Sequence, residues 1–242
     1  MIYAIADLHL PGALGKTMDR FGAQWNRHPE VVRERWLERV GAEDSVLVCG
    51  DISWAMRLAE ARCDLEYLAS LPGRKYLLRG NHDYWWHRES TRQMQALLPP
   101  DMVLVHGTGL VIEGIAVGGT RGWQVESGSL TEQNTRIIHR EEAYLRQAFK
   151  SLPARPRVAM LHYPPYGPSL EWNDFGRALL DLGVELAVYG HLHLGNPHVL
   201  HGSKDGMRLQ LVAADRVDFT PQPLWLDTPI AARSAHEVKS GL

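Results

Sequence analysis

Residues 76–83 read Tyr76-Leu77-Leu78-Arg79-Gly80-Asn81-His82-Asp83. A short apolar run reaches a glycine, and side chains capable of chemistry follow at once. The same punctuation recurs along the chain. Ile2–Ala6 leads into Asp7-Leu8-His9, and Val46–Cys49 into Gly50-Asp51. Val158–Leu161 leads into His162, and Leu186–Tyr189 into Gly190-His191-Leu192-His193. Runs of this length, rich in β-branched residues and free of polar alternation, read as strands covered on both faces. Stretches of helical period lie between many of them. Pro29–Val40 aligns Val32, Trp36, Leu37 and Val40, and Met56–Leu71 aligns Leu58, Leu65, Leu68 and Leu71. Gln133–Leu152 turns Ile137, Ile138, Tyr144, Leu145, Ala148 and Phe149 inward. Alternating strands and helices predict a layered α/β domain. Met102–Val105 and Val111–Val117, with Gly107 and Gly109 between them, read as a hairpin, so the sheets are expected to be mixed.

The remaining bounds come from composition. The 242 residues are 45% hydrophobic and 22% charged, which is globular rather than disordered. No repeat or linker divides them, so residues 1–242 read as one domain, with 228–242 a loosely held extension. Lys plus Arg is 26 against 28 for Asp plus Glu, a formal charge of −2. No basic excess exists to hold nucleic acid or an anionic membrane. No stretch approaches the ~20 apolar residues of a spanning helix, and Met1–Asp7 carries no leader pattern. A cytoplasmic protein is expected, and its two cysteines, Cys49 and Cys63, read as small buried hydrophobes. The twelve histidines are the compositional excess, and they point to metal or acid–base chemistry.

Strand ends are where open α/β sheets bind ligands. Five of them converge here, bringing Asp7, His9, Asp51, Asn81, His162, His191 and His193. Asp7 and His9 are two apart, as are His191 and His193, so in extended backbone each pair projects to one side. Imidazole, carboxylate and amide without thiolate suit Mn, Fe, Zn or Co better than an all-oxygen Mg or Ca cage. Seven donors exceed one tetrahedral ion, and a pair of ions sharing Asp51 uses them economically. Two such ions lower the pKa of a bound water and clamp an in-line displacement at phosphorus. His82 is left to protonate the leaving oxygen, and Asp83 to hold the His82 imidazole through its other N–H.

Taken in order, Asp7-x-His9, Gly50-Asp51, Gly80-Asn81-His82-Asp83, His162 and Gly190-His191-x-His193 resemble the calcineurin-like metallophosphoesterase superfamily. The segments 50–55, 80–86, 119–123 and 189–193 resemble, more narrowly, a bacterial group of small phosphohydrolases. The resemblance implies a four-layer α/β/β/α sandwich with two central mixed sheets. It implies that Asp7, His9, Asp51 and His193 hold one divalent ion, that Asp51, Asn81, His162 and His191 hold the other, manganese being the first choice, and that His82 acts on the leaving group. The expected activity is hydrolysis of phosphate esters by a metal-bound hydroxide on a small phosphorylated substrate, a diester or nucleotide before a monoester. A non-catalytic interaction module on the same fold is the competing class. The Asp-Arg-Gly element that follows Gly-Asp in protein Ser/Thr phosphatases is replaced by Ile52-Ser53-Trp54, which disfavours that substrate class.

Substrate contacts are less well marked. Trp54, Trp85, Trp86 and Trp123 each follow a motif and read either as an aromatic wall, with Trp86 the residue to test, or as core under the loops. Arg121 reads as a phosphate fork or as an ion pair, with Arg57 a weaker candidate. His87 is a lesser candidate for a substrate contact. His28 and His106 are expected on surfaces or loops, and Arg140-Glu141-Glu142 on a solvated face.

Overall fold

The computed structural model describes residues 1–86, 91–125, 130–152, 156–224 and 226. His87 and the segment 228–242 lie outside the described residues. Among the described residues eleven strands form two sheets. The first sheet contains β1 (Ile2–Ile5), β2 (Ser45–Cys49), β3 (Arg74–Leu78), β4 (Met102–Leu104) and β11 (Gln222–Pro223), in the order β11-β1-β2-β3-β4. The second contains β5 (Gly109–Ile112), β6 (Ile115–Thr120), β7 (Arg157–Leu161), β8 (Leu186–Tyr189), β9 (Gly202–Lys204) and β10 (Met207–Leu211), in the order β5-β6-β7-β8-β10-β9. In each sheet four parallel strands carry antiparallel neighbours at the edge, so both sheets are mixed.

The period-2 geometry of a strand sorts side chains into three cores. Tyr3, Ile5, Val46 and Val48 face helices α1 (His28–Arg39) and α2 (Leu58–Ala69), where they meet Trp36, Leu65 and Leu68. Ala159, Leu161 and Ala187 face α4 (Glu132–Phe149) and α5 (Asp174–Asp181), where they meet Leu145, Phe149, Phe175 and Leu179. The alternate set, including Ile2, Ala4, Leu47, Cys49, Val158, Met160 and Val188, lies between the sheets. That is the four-layer sandwich. Cys49 is buried, whereas Cys63 is exposed on α2. Among the described residues no helix is long and apolar enough to cross a membrane.

Two local expectations need correction. Met102–Val105 does not pair with Val111–Val117. β4 joins β3 in parallel in the first sheet, and the hairpin is internal to the later run, β5 against β6. The turn falls at Glu113 (φ 47°) and Gly114 (φ 79°), left-handed positions that close a two-residue hairpin. Leu37, placed on the apolar stripe of the first helix, is 53% exposed, because Val32 and Trp36 already fill the contact with the sheet. The short elements α3 (Thr91–Gln95), β9 and β11 offer too few residues to read, and α5, although its Phe175, Ala178 and Leu179 form an apolar face, is only eight residues long.

Candidate metal centre

Backbone hydrogen bonds join the two sheets beside the candidate site. Ala6 donates to the Val212 carbonyl at 2.8 Å and accepts from Ala214 N–H at 2.9 Å, which ties the end of β1 to the end of β10. The loops leaving β1, β2 and β3 therefore open beside those leaving β7, β8 and β10. Beyond Ile5 the chain is not extended. Asp7 (φ 57°), His9 (φ 43°), Asp51 (φ 53°) and His191 (φ 69°) all take left-handed backbone. Such residues cost ~1–3 kcal/mol each and persist where surrounding contacts fix them. Here Asp7 N–H donates to Gly50 O, His9 N–H to Asp51 O and Leu10 N–H to Ile52 O, each at 2.9 Å. The expected reason for Asp7 and His9 sharing a side, extended alternation, is thus incorrect. Strand-end turns deliver them instead.

All seven predicted ligands come together, though not equally closely. The Asp51 carboxylate is central. Its Oδ1 accepts the His82 backbone N–H at 2.8 Å. Its Oδ2 stands 3.7 Å from His9 Nε2 and 3.4 Å from His162 Nε2. The Asp7 carboxylate accepts the His191 backbone N–H at 2.9 Å, and the Nε2 atoms of His9 and His193 are 3.4 Å apart. Donor atoms of Asp7, His9 and His193 form one group within 4.8 Å of one another, and those of Asp7, Asp51 and His162 a second. Asn81 Oδ1 is 2.6 Å from His162 Nε2. The His191 ring lies beside these groups, 5.2 Å from the His162 ring.

The donor chemistry fits divalent cations. His162 Nδ1 lies 3.1 Å from the Cys49 carbonyl, so that nitrogen carries the hydrogen and Nε2 is left with a lone pair. Burial pushes the ring down to about 3, so Nε2 does not take up a proton at neutral pH. Nε2 then faces Asn81 Oδ1 and Asp51 Oδ2 with no hydrogen among the three atoms, an arrangement a cation satisfies. Asp7 and Asp51 are buried, and burial raises both, Asp51 to about 6. Burial works against charge on His193, yet Asp215, Asp7 and Asp51 carry it up to about 9. The field of these carboxylates calls for positive charge. Glycines make the approach possible: a Cβ at Gly80 would strike Asp51, and one at Gly190 would strike Asp7.

Asp215, absent from the sequence reading, holds His193 by accepting at Nδ1 from 3.1 Å and also takes the Leu194 N–H. It follows β10 as the predicted ligands follow their strands, and that position was the available signal. His28 was expected on a surface. It is buried instead, with its ring nitrogens 3.1 Å from the carbonyl oxygens of Trp25 and His9, bracing the His9 loop.

The structure revises four other expectations. Asp83 does not hold the His82 ring. Its Oδ1 accepts from Ile52 N–H, Ser53 N–H and Trp85 Nε1–H, and its Oδ2 from Gly80 N–H. His82 Nδ1 is buried without a partner. Trp86 is core, 2% exposed against Trp85, because the loop after β3 turns it inward. Trp54 is at the site instead, with its ring 4.4 Å from that of His82 and stacked on His9 at 4.9 Å. Glu141 is not on a solvated face. It is buried, accepts from Thr120 Oγ1–H at 2.5 Å, and is ringed by Arg121, Arg140 and His106. Arg121 is buried in that cluster, over the Trp123 ring at 4.7 Å, while its carbonyl accepts the N–H groups of His162 and Tyr163. Arg57 is exposed at the start of α2.

Comparison with known proteins agrees with this geometry. A phage protein, Gene 66 protein of Mycobacterium phage D29, is 37% identical over 83 residues, which is 34% of this chain and 40% of that protein. The phosphopantetheinyl hydrolase of Mycobacterium tuberculosis shares the fold with a TM-score of 0.58 at 18% identity, covering 94% of this chain and 98% of that one. The family model for the calcineurin-like phosphoesterases matches residues 1–195, a span that runs from the first strand through the last predicted ligand. With a metal-compatible donor cluster at the joined ends of two mixed sheets under that match, the chain belongs to the calcineurin-like phosphoesterase family.

Proposed function

We propose that the protein works with two divalent ions, manganese the favoured pair, and hydrolyses an organic phosphate ester, with diesters or nucleotides preferred to monoesters. The observation that carries the two-ion reading is the position of Asp51 Oδ2 between His9 Nε2 and His162 Nε2. Asp7, His9, Asp51 and His193 would hold one ion, and Asp51, Asn81, His162 and His191 the other. Bound ions of this kind supply positive charge for the phosphoryl oxygens and make water a nucleophile near neutral pH.

The chain's own residues do the rest. The His82 backbone N–H fixes Asp51, the His191 backbone N–H fixes Asp7, and the carbonyl of Cys49 and the carboxylate of Asp215 set the tautomers of His162 and His193. His82 delivers a proton to the leaving oxygen. Its ring borders a cleft with Trp54, Trp25 and Met18, open enough for an organic group on the ester. That cleft supports a diester or nucleotide over a small compact monoester. Arg121, buried one residue beyond β6, adds fixed positive charge near Asp51.

The test is parallel hydrolysis of bis-p-nitrophenyl phosphate and p-nitrophenyl phosphate, with manganese and with chelator, alongside metal content. Two ions per chain and chelator-sensitive turnover favouring the diester are expected. Asp51→Ala should lose metal and activity together. A monoester preference would overturn the substrate reading, and fewer than one bound ion after manganese loading would overturn the site.

A further inference from the structure

The cleft that His82 borders has a volume of about 260 Å³, with Met18, Phe21, Trp25 and Trp54 forming an apolar part of its wall opposite the polar groups of the metal centre. Trp54 is held in place, with its Nε1–H 3.1 Å from Met18 Sδ. Phe21 is 52% exposed, an aromatic ring at the mouth of the cleft with one face covered by the Arg20 guanidinium at 4.8 Å. Trp54 also lines a second hollow of about 380 Å³, and the other residues lining that one are Lys16, Thr17 and Arg20. Lys16 Nζ donates to the backbone carbonyl of Trp54 at 3.4 Å. Trp54 thus stands between the cleft beside His82 and a second hollow whose described lining carries two cations, Lys16 and Arg20.

We infer that the alcohol released by this phosphoesterase is ring-bearing and carries its own phosphate, the ring lying against Trp54 and Phe21 and the phosphate between Lys16 and Arg20. This rests on the phosphoesterase reading above and names its substrate class. Two observations fit the occupant. The cleft is continuous with the residue assigned to protonate the leaving oxygen. The neighbouring hollow across Trp54 offers the cationic donors of Lys16 and Arg20 to an anion. A nucleotide is the simplest alcohol of this kind. In the reaction a water oxygen bonds to phosphorus, the bond from phosphorus to the alcohol oxygen breaks, and that oxygen leaves with a proton.

Three diesters sharing an adenosine 5′-phosphoryl half test this, with glycerol, adenosine or adenosine 5′-phosphate (through its 3′-oxygen) as the leaving alcohol. On the manganese-loaded full chain, kcat/KM should rise about tenfold from glycerol to adenosine and about tenfold again to adenosine 5′-phosphate, stacking on an aromatic and an added ion contact each being of that order. Phe21→Ala should erase the first ratio, and Lys16→Ala with Arg20→Ala the second. All three residues are surface positions, so folding is expected to survive. Calorimetry with adenosine 5′-phosphate on the chelator-treated protein adds a readout independent of turnover: the Lys16/Arg20 double variant should bind about tenfold more weakly. Three diesters cleaved within twofold of one another would overturn the assignment and leave the phosphoesterase standing. Loss of affinity in the double variant with no diester cleaved would do the reverse.

Discussion

Replacing Asp83 tests how the centre is held. Its carboxylate ties two loops that contribute ligands: Ile52 and Ser53 follow Asp51, and Gly80 precedes Asn81. Three donors meet Oδ1 at 2.9, 3.1 and 2.9 Å, and Gly80 N–H meets Oδ2 at 2.8 Å. A buried donor stripped of its acceptor costs ~1–3 kcal/mol. Asp83→Ala strips four, roughly 4–12 kcal/mol, a large part of the ~5–15 kcal/mol that keeps a typical domain folded. Asp83→Asn is the sharper variant. With its oxygen in place of Oδ1 it keeps three donors, and its amide nitrogen then points at Gly80 N–H. The opposite flip sets the amide against three donors, which is worse. The expected cost is about 2–6 kcal/mol, from two facing donors without partners.

The assay is urea unfolding of the chelator-treated protein, so that bound metal does not mask the change. Tryptophan fluorescence reports it directly, since the Trp85 indole is one of the donors. The same variant should take up metal more weakly, because Asn81 and Asp51 lose their common anchor. An Asp83→Asn midpoint within the equivalent of ~0.5 kcal/mol of the parent, the usual span for a change that touches nothing, would refute the account. Asp83 would then be filling space rather than joining the loops.

Three further outcomes follow from the geometry. Asp215→Asn leaves His193 without the carboxylate at its Nδ1 and should weaken metal binding by about 10–100-fold, read by competition with a chelating dye. His82→Ala should retain both ions while kcat falls by about 10²–10⁴ on esters with poor leaving groups; full activity there would remove His82 from the proton transfer. Burial pushes His106 down to about 4. The unfolded chain takes a proton near ~6.5 and the folded one does not until lower pH, so stability is full above that value and falls by about 3 kcal/mol as pH drops to 4. His106→Gln should flatten that limb by about one proton, seen in urea midpoints across the window.

Much of the centre was legible because its residues follow strand ends, and buried strands announce themselves as apolar runs. Gly50-Asp51 and Gly80-Asn81-His82 are placed beside the other candidate ligands for that reason alone. The logic failed where backbone conformation departs from the strand. Spacing of two predicts a shared side only in extended chain, and Asp7, His9 and His191 are left-handed. It also failed where a side chain's partner comes from distant sequence. Glu141 sits among charged neighbours on α4 and reads as solvated, until Thr120, Arg121 and His106 arrive from the loops around β6. Asp83 reads as a partner for its neighbour His82, yet its donors include residues some thirty positions earlier.

The centre is split between the sheets, and this makes their relative placement a catalytic variable. Asp7, His9, Asp51 and Asn81 leave the first sheet, and His162, His191, His193 and Asp215 leave the second. Asp51 Oδ2 stands between His9 of its own sheet and His162 of the other, at 3.7 and 3.4 Å. A slide of about one ångström between sheets would spoil one of those distances, and misplacement on that scale is enough to cost ~10²-fold in rate. What resists the slide is the layer between the sheets. Near the site it is built of small side chains, Ala4, Ala6 and Cys49, and Ala6 is pinned by hydrogen bonds to Val212 and Ala214. Small residues let the two backbones meet there, so the strand ends converge on one pocket. Larger ones farther along, Ile2, Leu47 and Met160, fill the same layer. The packing that makes this a sandwich therefore also sets the spacing of its ligands.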